Sequence, residues 1–263
     1  MAYADNTDVL EVGSVRLGSE LNNELAVAAR SLQEQSGTQR TLDRSVMLAS
    51  EIVSGCDHAG LSIVHRDGSI NTPAASDDLV RQADRLQYAL NEGPGLDAIW
   101  AQDTVLSANL VQDARWPRWA PEVASKLGVR SLLCFQLYTT TDTLGALILY
   151  SDRVDGFDHD ATVAGTFLAA HVAVALAESQ NADNLISRAL GQALIGQAQG
   201  ILMERFALGA DEAFAVLRRV SQQGNTKLHR IASELIATRL TPGAEAVQPR
   251  EGRSHRGCDE VRG

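Results

Sequence analysis

The spacing of apolar residues divides this chain into segments. From Ser19 to Gln35, Leu21, Leu25, Ala28, Ala29 and Leu32 recur every three or four positions. That spacing predicts a helix, capped by Ser19 and followed by Gly37. Leu42, Val46, Ala49 and Val53 repeat the pattern, so two amphipathic helices open the body. The texture then changes. Residues 60–73 are rich in β-branched side chains and are broken by Asp67-Gly68. This dipeptide favours a tight hairpin turn because glycine accepts positive φ freely. Val80, Ala83 and Leu86 restore helical spacing from Asp78 to Leu90, and Gly93-Pro94-Gly95 interrupts the chain. Residues 104–110 read as a strand, and Pro117 to Leu127 as a short helix with Pro117 near its first turn. Residues 131–139 and 144–151 are strand-length and apolar, joined by Thr140 to Thr143. They predict a second hairpin with both faces covered.

This order argues for an α+β domain built on an antiparallel sheet with flanking helices. Beyond it, residues 159–206 contain no proline and are helical in pattern throughout. One stripe has heptad spacing: Leu168, Val172, Ala175, Ser179, Ala182, Ile186, Ala189, Ala193, Gly196 and Gly200. Its steps alternate four and three residues without a slip, which suits a coiled-coil seam. Two readings follow. The stripe is a homodimer seam running from the first domain into a second, or it packs inside its own domain. Two more helices are expected. Ala213, Phe214, Leu217 and Val220 mark the first, with Gly224 stopping it in a left-handed turn. Leu228, Ile231, Ala232 and Leu235 mark the second, with Asn225 as its cap. The expected organisation is a flexible N-terminus (1–18), an α+β domain with its N-terminal helices (19–178), an all-α three-helix module (179–240) and a disordered tail (241–263).

Composition narrows the function classes. The 263 residues, 44% hydrophobic and 21% charged, are those of a globular protein of one large or two small domains. Cys56, Cys134 and Cys258 are few, odd in number and far apart, the pattern of reduced thiols in a cytoplasmic protein. No unbroken run of about 18 apolar residues occurs, so no membrane span is expected, and residues 1–10 show no secretion signal. The net charge of −10 argues against nucleic-acid binding through overall charge. That charge is unevenly spread, however. Residues 1–180 hold 12 Lys/Arg and 24 Asp/Glu, whereas residues 181–240 hold 7 and 5. Phosphate partners, if any, belong to the second part; the other reading is that surface charge simply fluctuates along the chain.

Catalytic signatures are weak: no nucleophile elbow, phosphate loop or H-E-x-x-H motif is present. Cys56-Asp57-His58 is an isolated cluster, and a zinc site needs about four ligands, so no metal and no cofactor is expected. Cys134 lies in an apolar strand pattern and is expected to be a buried, inert thiol. The three-helix segment differs. Its Arg and Lys residues can satisfy phosphates, while its Gln, Asn and Ser residues can read base edges or ribose hydroxyls. A solvated helix face has the same composition.

A family resemblance becomes specific here. Ile195-Gly196-Gln197-Ala198, residues 200–205 (Gly-Ile-Leu-Met-Glu-Arg), Asp211-Glu212-Ala213-Phe214, Leu217-Arg218, Ser221-Gln222, Asn225 and Lys227-Leu228 resemble an ANTAR domain. The resemblance implies a three-helix RNA-binding antiterminator that acts as a dimer on paired stem-loops of nascent messenger RNA. Arg188, Gln199, Arg205, Arg218, Arg219, Ser221, Asn225 and Lys227 are then the expected RNA-contact residues. Asn225 has the alternative role of helix cap, and Met203 is expected to pack. Gln199 stands where the family commonly has lysine, which removes one positive charge.

The front of the chain resembles a GAF domain of the kind that precedes ANTAR in actinobacterial regulators. The carrying residues are 55–60 (Gly-Cys-Asp-His-Ala-Gly), Leu86-Gln87-Tyr88, Glu92-Gly93-Pro94, Asp97-Ala98-Ile99-Trp100, 113–117 (Asp-Ala-Arg-Trp-Pro), Phe135-Gln136-Leu137 and Gly145-Ala146-Leu147. The resemblance implies a sensory module with a cleft over an antiparallel sheet, and dimerisation. Many relatives carry cysteine after Glu-Gly-Pro, where Gly95 stands here, so thiol sensing at that position is not expected. Tyr88, Trp100 and Gln136 are candidates to line a pocket for an unknown small molecule, or are ordinary core and rim residues. The implied protein is a signal-responsive antiterminator with partners in RNA, a second copy of itself and possible small ligands, and with no membrane. A ligand-regulated DNA-binding transcription factor, with its third helix in a major groove, is the alternative.

Overall fold

The computed structural model describes residues 21, 23–101 and 104–238. The expected N-terminal lead-in, the Ser19 cap, the tail at 241–263 and Cys258 lie outside the described residues. The chain divides into two compact units between Asp183 and Asn184.

In the first unit, helix α1 (residues 23–33) and helix α2 (Thr38–Ile52) precede the hairpin of β1 (His58–Val64) and β2 (Ile70–Ala75). Helix α3 (Asp78–Leu90), helix α4 (Pro94–Trp100), strand β3 (Thr104–Ser107) and helix α5 (Trp119–Lys126) follow. Strands β4 (Ser131–Tyr138) and β5 (Thr143–Ser151) form the second hairpin. The five strands pair antiparallel in the order β2-β1-β5-β4-β3. This is the sheet with flanking helices that the sequence predicts.

Helix α4 is absent from the sequence reading, because Gly93-Pro94-Gly95 looks like a break. In the structure Gly93 is the N-cap of α4, at φ 149°, and Pro94 is its first residue. Proline fits there because its missing N–H would have had no helical partner.

Period-two alternation sends β4 and β5 side chains to two cores. Leu133, Phe135, Leu137, Leu147 and Leu149 pack with α1, α2 and the start of the long helix. Leu132, Cys134, Ala146, Ile148 and Tyr150 pack with α3, α4 and α5. Both faces are covered, which is why these strands read as continuous apolar runs. Cys134 is fully buried, as expected. Trp116 and Trp119 meet edge to face at 5.8 Å, and each indole N–H is satisfied, by Asp97 Oδ2 and by the Ala83 carbonyl. At β5, a Cβ on Gly145 would lie 1.8 Å from the Ser62 carbonyl oxygen, so only glycine lets the two strands approach this closely.

Helix α6 runs from His159 to Phe206. Among the described residues it is the one helix long and apolar enough, by length and composition, to cross a membrane, and half of its most apolar stretch is buried in the fold. The absence of an unbroken apolar run was therefore not the deciding property. Burial against the sheet accounts for the hydropathy of its first half.

The heptad stripe on α6 is not uniform. Leu168, Val172, Ala175 and Ser179 are buried in the domain's own core, whereas Ala182, Ile186, Ala189, Ala193, Gly196 and Gly200 are exposed. This corrects the reading of one continuous seam between copies. The first four positions are already filled, because α6 covers the sheet with that face.

The second unit packs the end of α6 against α7 (Ala210–Gln223) and α8 (Leu228–Thr238). Its core is Ala198, Leu202, Ala213, Leu217, Ile231, Ala232 and Leu235. Two turn assignments are corrected here. Gly224 sits at φ −86°, and Asn225, at φ 45°, is the left-handed residue. Asn225 is thus a turn residue and not the cap of α8, which begins three residues later. Asparagine tolerates this conformation better than most side chains.

Candidate nucleic-acid interface

The candidate RNA residues occupy three places in the second unit. Arg218 and Arg219 are exposed near the end of α7, and Lys227 is exposed just before α8. The turn between them is built from the inside. The Ser221 hydroxyl donates to the Thr226 carbonyl at 2.6 Å, and the Thr226 N–H donates to the Ser221 carbonyl at 3.0 Å. Ser221 is therefore a clamp of the turn, with its donor engaged within the chain. Lys227 lies beyond that clamp, and its carbonyl accepts from the Arg230 N–H at 2.9 Å as α8 begins.

Gln199 and Arg205 lie on α6. The Gln199 amide donates to the Ala210 carbonyl at 3.2 Å, which ties α6 to the start of α7. Arg205 is exposed in the last turn of α6. Arg188 is also on α6, beside a groove whose far wall comes from Leu228 and His229. Met203 is 37% exposed, so it is a rim residue and not the packed side chain expected.

In the first unit the three ligand candidates do not converge. Trp100 is 62% exposed. The Gln136 amide donates to the Ile99 carbonyl at 2.8 Å and so braces α4 against β4. Tyr88 belongs to a buried polar network that the sequence reading missed. Asp84, which is buried, accepts from Thr72 Oγ1 at 2.6 Å, Gln87 Nε2 at 2.9 Å, Tyr150 OH at 3.3 Å and Ser62 Oγ at 3.4 Å. The Tyr88 hydroxyl contacts Ser62 Oγ at 2.9 Å and Thr72 Oγ1 at 2.8 Å, and Gln87 Oε1 accepts from the Gly95 N–H at 2.8 Å. Burial pushes the Asp84 carboxyl up to about 6, against the pull of its hydrogen bonds. Burial, reinforced by the Asp84 charge, takes the Tyr88 phenol to about 12. A signal was present: Asp84 and Gln87 continue the helical spacing of Val80 and Ala83 on the apolar face of α3.

Cys56, Asp57 and His58 have separate partners. The Cys56 thiol, pushed up to about 12 by burial, donates to the His58 carbonyl. Asp57 Oδ2 accepts from Ser151 Oγ at 2.8 Å and from the Asp152 N–H at 3.0 Å. His58 Nδ1 pairs with Asp77 Oδ2 at 2.5 Å. Burial opposes protonation of that imidazole, yet the hydrogen bond and charge of Asp77, with Asp152 beyond, hold it above its ordinary value.

A groove of about 500 Å³ opens between α6 and the β3–β4 edge, within the size range of small-molecule sites. Phe135, Ala169, Ala173 and Val174 form its apolar wall, and Thr104, Thr139 and Thr166 bring hydroxyls. Gln136 contributes to its lining, whereas Tyr88 and Trp100 do not. Gly165 lets the Phe135 ring seat there, since a Cβ would lie 2.4 Å from it.

Comparison with known proteins agrees with this architecture. A GAF domain model matches residues 35–177, more than half of the chain, and an ANTAR domain model matches residues 183–236. No curated protein matches the chain. Among solved structures, the GAF domain from a phosphoenolpyruvate-protein phosphotransferase of Coxiella burnetii is similar at 15% identity and TM-score 0.51, covering 62% of this chain and 96% of that one. Free methionine-R-sulfoxide reductase from Neisseria meningitidis, in complex with its substrate, is similar at 14% identity and TM-score 0.46, covering 69% of this chain and 97% of that one. At 15% identity, the likeness to the Coxiella domain is one of fold. The chain belongs to the GAF family of signal-sensing domains and continues into an ANTAR domain, an RNA-binding antiterminator module.

Proposed function

We propose that this protein is a signal-responsive transcription antiterminator that acts as a dimer in the cytoplasm and binds paired stem-loops in nascent messenger RNA. The observation that carries the reading is the ANTAR match over a unit whose exposed Arg218, Arg219 and Lys227 flank one internally clamped turn. These cations meet phosphates, and the match supplies the class of nucleic acid. Neither domain is catalytic in kind, and the protein works by binding.

The exposed part of the α6 stripe, from Ala182 to Gly200, supports pairing with a second copy, because its small residues permit close helix approach. Two hairpins held by one dimer gain avidity when their spacing fits. The signal enters at the GAF domain, where the mostly apolar groove beside α6 suits a neutral small molecule. Binding there shifts a population of α6 arrangements. Four residues inserted near Ser179 rotate the helical register and are expected to uncouple signal from output.

The direct test is fluorescence anisotropy of the full-length protein with an RNA bearing two short stem-loops, beside duplex DNA of similar length at the same salt. Tight RNA binding that collapses when one hairpin is deleted supports the proposal. DNA binding without RNA binding favours the transcription-factor alternative.

A further inference from the structure

His58 stands where three pieces of the first unit meet: the start of β1, the cap of α3 and the connection from β5 to α6. Its ring has a carboxylate on each side. Nδ1 pairs with Asp77 Oδ2, while Asp77 Oδ1 accepts the Val80 N–H at 3.3 Å as the N-cap of α3. Nε2 faces Asp152 Oδ1 at 3.4 Å, one residue beyond the end of β5. Yet Nε2 is buried and makes no hydrogen bond.

The two sides of the ring therefore differ. Burial opposes ionisation of Asp77, but hydrogen bonds from His58 and Val80 hold its carboxyl below the ordinary range. An ionised carboxylate only accepts, so Nδ1 carries the proton. In the neutral imidazole, Nε2 then presents a lone pair to a second carboxylate. Two acceptors face each other with no proton between them, and a buried nitrogen is left without a partner. A proton on Nε2 turns this contact into a charge-assisted hydrogen bond.

The segment that this bond would hold is the root of α6. Asp57 Oδ2 already fixes its beginning through Ser151 Oγ and the Asp152 N–H. Asp158 Oδ1 accepts the Ala161 N–H at 2.8 Å in the first turn of α6. A Cβ on Gly55 would lie 1.8 Å from the Gly156 carbonyl oxygen, so the chain before β1 packs directly on this connection. Asp57 adds negative charge beside His58, and Arg153 acts on Asp57 in turn. The cross-strand neighbour Tyr150 and the preceding Cys56 stay neutral, both pushed up by burial.

We propose that His58 is a proton-gated clamp: protonation at Nε2 closes an Asp77–His58–Asp152 bridge that ties the cap of α3 to the connection leading into α6. A proton is then a ligand of the GAF domain in its own right, at a site apart from the groove beside Phe135. Burial opposes the charged imidazole, and Asp77 and then Asp152 more than offset it, so His58 lies above its ordinary value of 6.5. The bridge is complete below that ordinary value and is lost as pH rises through the folded one.

The test uses the full-length protein with ring-labelled histidine, titrated by NMR from pH 5 to 8.5. His58 is the resonance that His58→Gln lacks. Its midpoint is expected above 6.5. Asp152→Asn is expected to lower that midpoint by about half a pH unit or more. Amide exchange over residues 152–158, corrected for the intrinsic effect of pH, is expected to be at least about threefold slower below the midpoint than above it. This difference disappears in His58→Gln and shrinks in Asp152→Asn. Asp152 is exposed and asparagine keeps its size, so that variant tests the bridge without opening the core. A midpoint at or below 6.5, or one that Asp152→Asn does not move, overturns the proposal. So does exchange over 152–158 with the same pH dependence in the wild type and in Asp152→Asn. None of these measurements involves RNA, so the antiterminator reading stands or falls separately.

Discussion

Asp183 accepts the backbone N–H of Thr38 through Oδ2 at 2.9 Å, although the two residues are 145 positions apart. The carboxylate of α6 thus satisfies one of the amides that open α2, where Gly37, at φ 92°, has no side chain to cap with. Hydrogen bonding by Thr38 holds the Asp183 carboxyl below its ordinary range. A lowered carboxylate contributes its stability above the unfolded value and loses it as pH falls through the folded one. Asp183→Ala is therefore expected to speed hydrogen exchange of the Thr38 amide at neutral pH, by at least about threefold. Unchanged exchange would show that this contact does not hold α2.

Ser221 tests whether a candidate contact acts directly. Its hydroxyl is already committed to the Thr226 carbonyl. Ser221→Ala removes one internal hydrogen bond, worth about 1 kcal/mol. RNA affinity is expected to fall modestly with an unchanged salt slope, because no phosphate contact is lost. A lower slope in this variant would contradict the clamp role.

Arg218 and Arg219 are the opposite case. Both are exposed and cationic. If each meets a phosphate, alanine at either position weakens binding across RNA sequences and lowers the salt slope by about 0.7–0.9. Affinity measured at several salt concentrations decides. An arginine whose alanine variant keeps the wild-type slope is not in contact with phosphate.

Asp84 makes the stability of the GAF domain depend on pH. Its carboxyl is raised to about 6 by burial, from an ordinary 3.8. The neutral form is favoured in the fold, so this contribution is complete below the ordinary value and is lost as pH rises through about 6. The loss approaches roughly 3 kcal/mol by pH 7. Asp84→Asn cannot titrate. Urea unfolding at pH 4.5 and 7.5 is expected to show the variant gaining on the wild type at the higher pH. Parallel losses in both proteins would contradict the assignment.

Local pattern carried most of the architecture. The limits of α6, the Asp67-Gly68 hairpin and the apolar β4–β5 pair follow from periodicity and turn chemistry, which act between residues a few positions apart. Where local signals compete, the sequence was ambiguous. Gly93-Pro94-Gly95 suits both a break and a helix start, and the packing of α4 on β4 selected the second. Gly224 and Asn225 both tolerate a left-handed turn, and the Ser221–Thr226 clamp placed it at Asn225.

Heptad spacing states that one side of α6 is buried, but not against what. The sheet filled that side at Leu168 and Val172 and left Ala189 and Ala193 exposed. The Asp84 network, the groove beside Phe135 and the groove lined by both Arg188 and His229 required the tertiary structure. Each joins groups from separate elements whose sequence separation encodes no distance. Composition and periodicity determined the strands, the helices other than α4 and the charge of each part of this protein. Only the packing of those elements decided which polar groups face one another, because those contacts are fixed by shape in three dimensions and not by spacing along the chain.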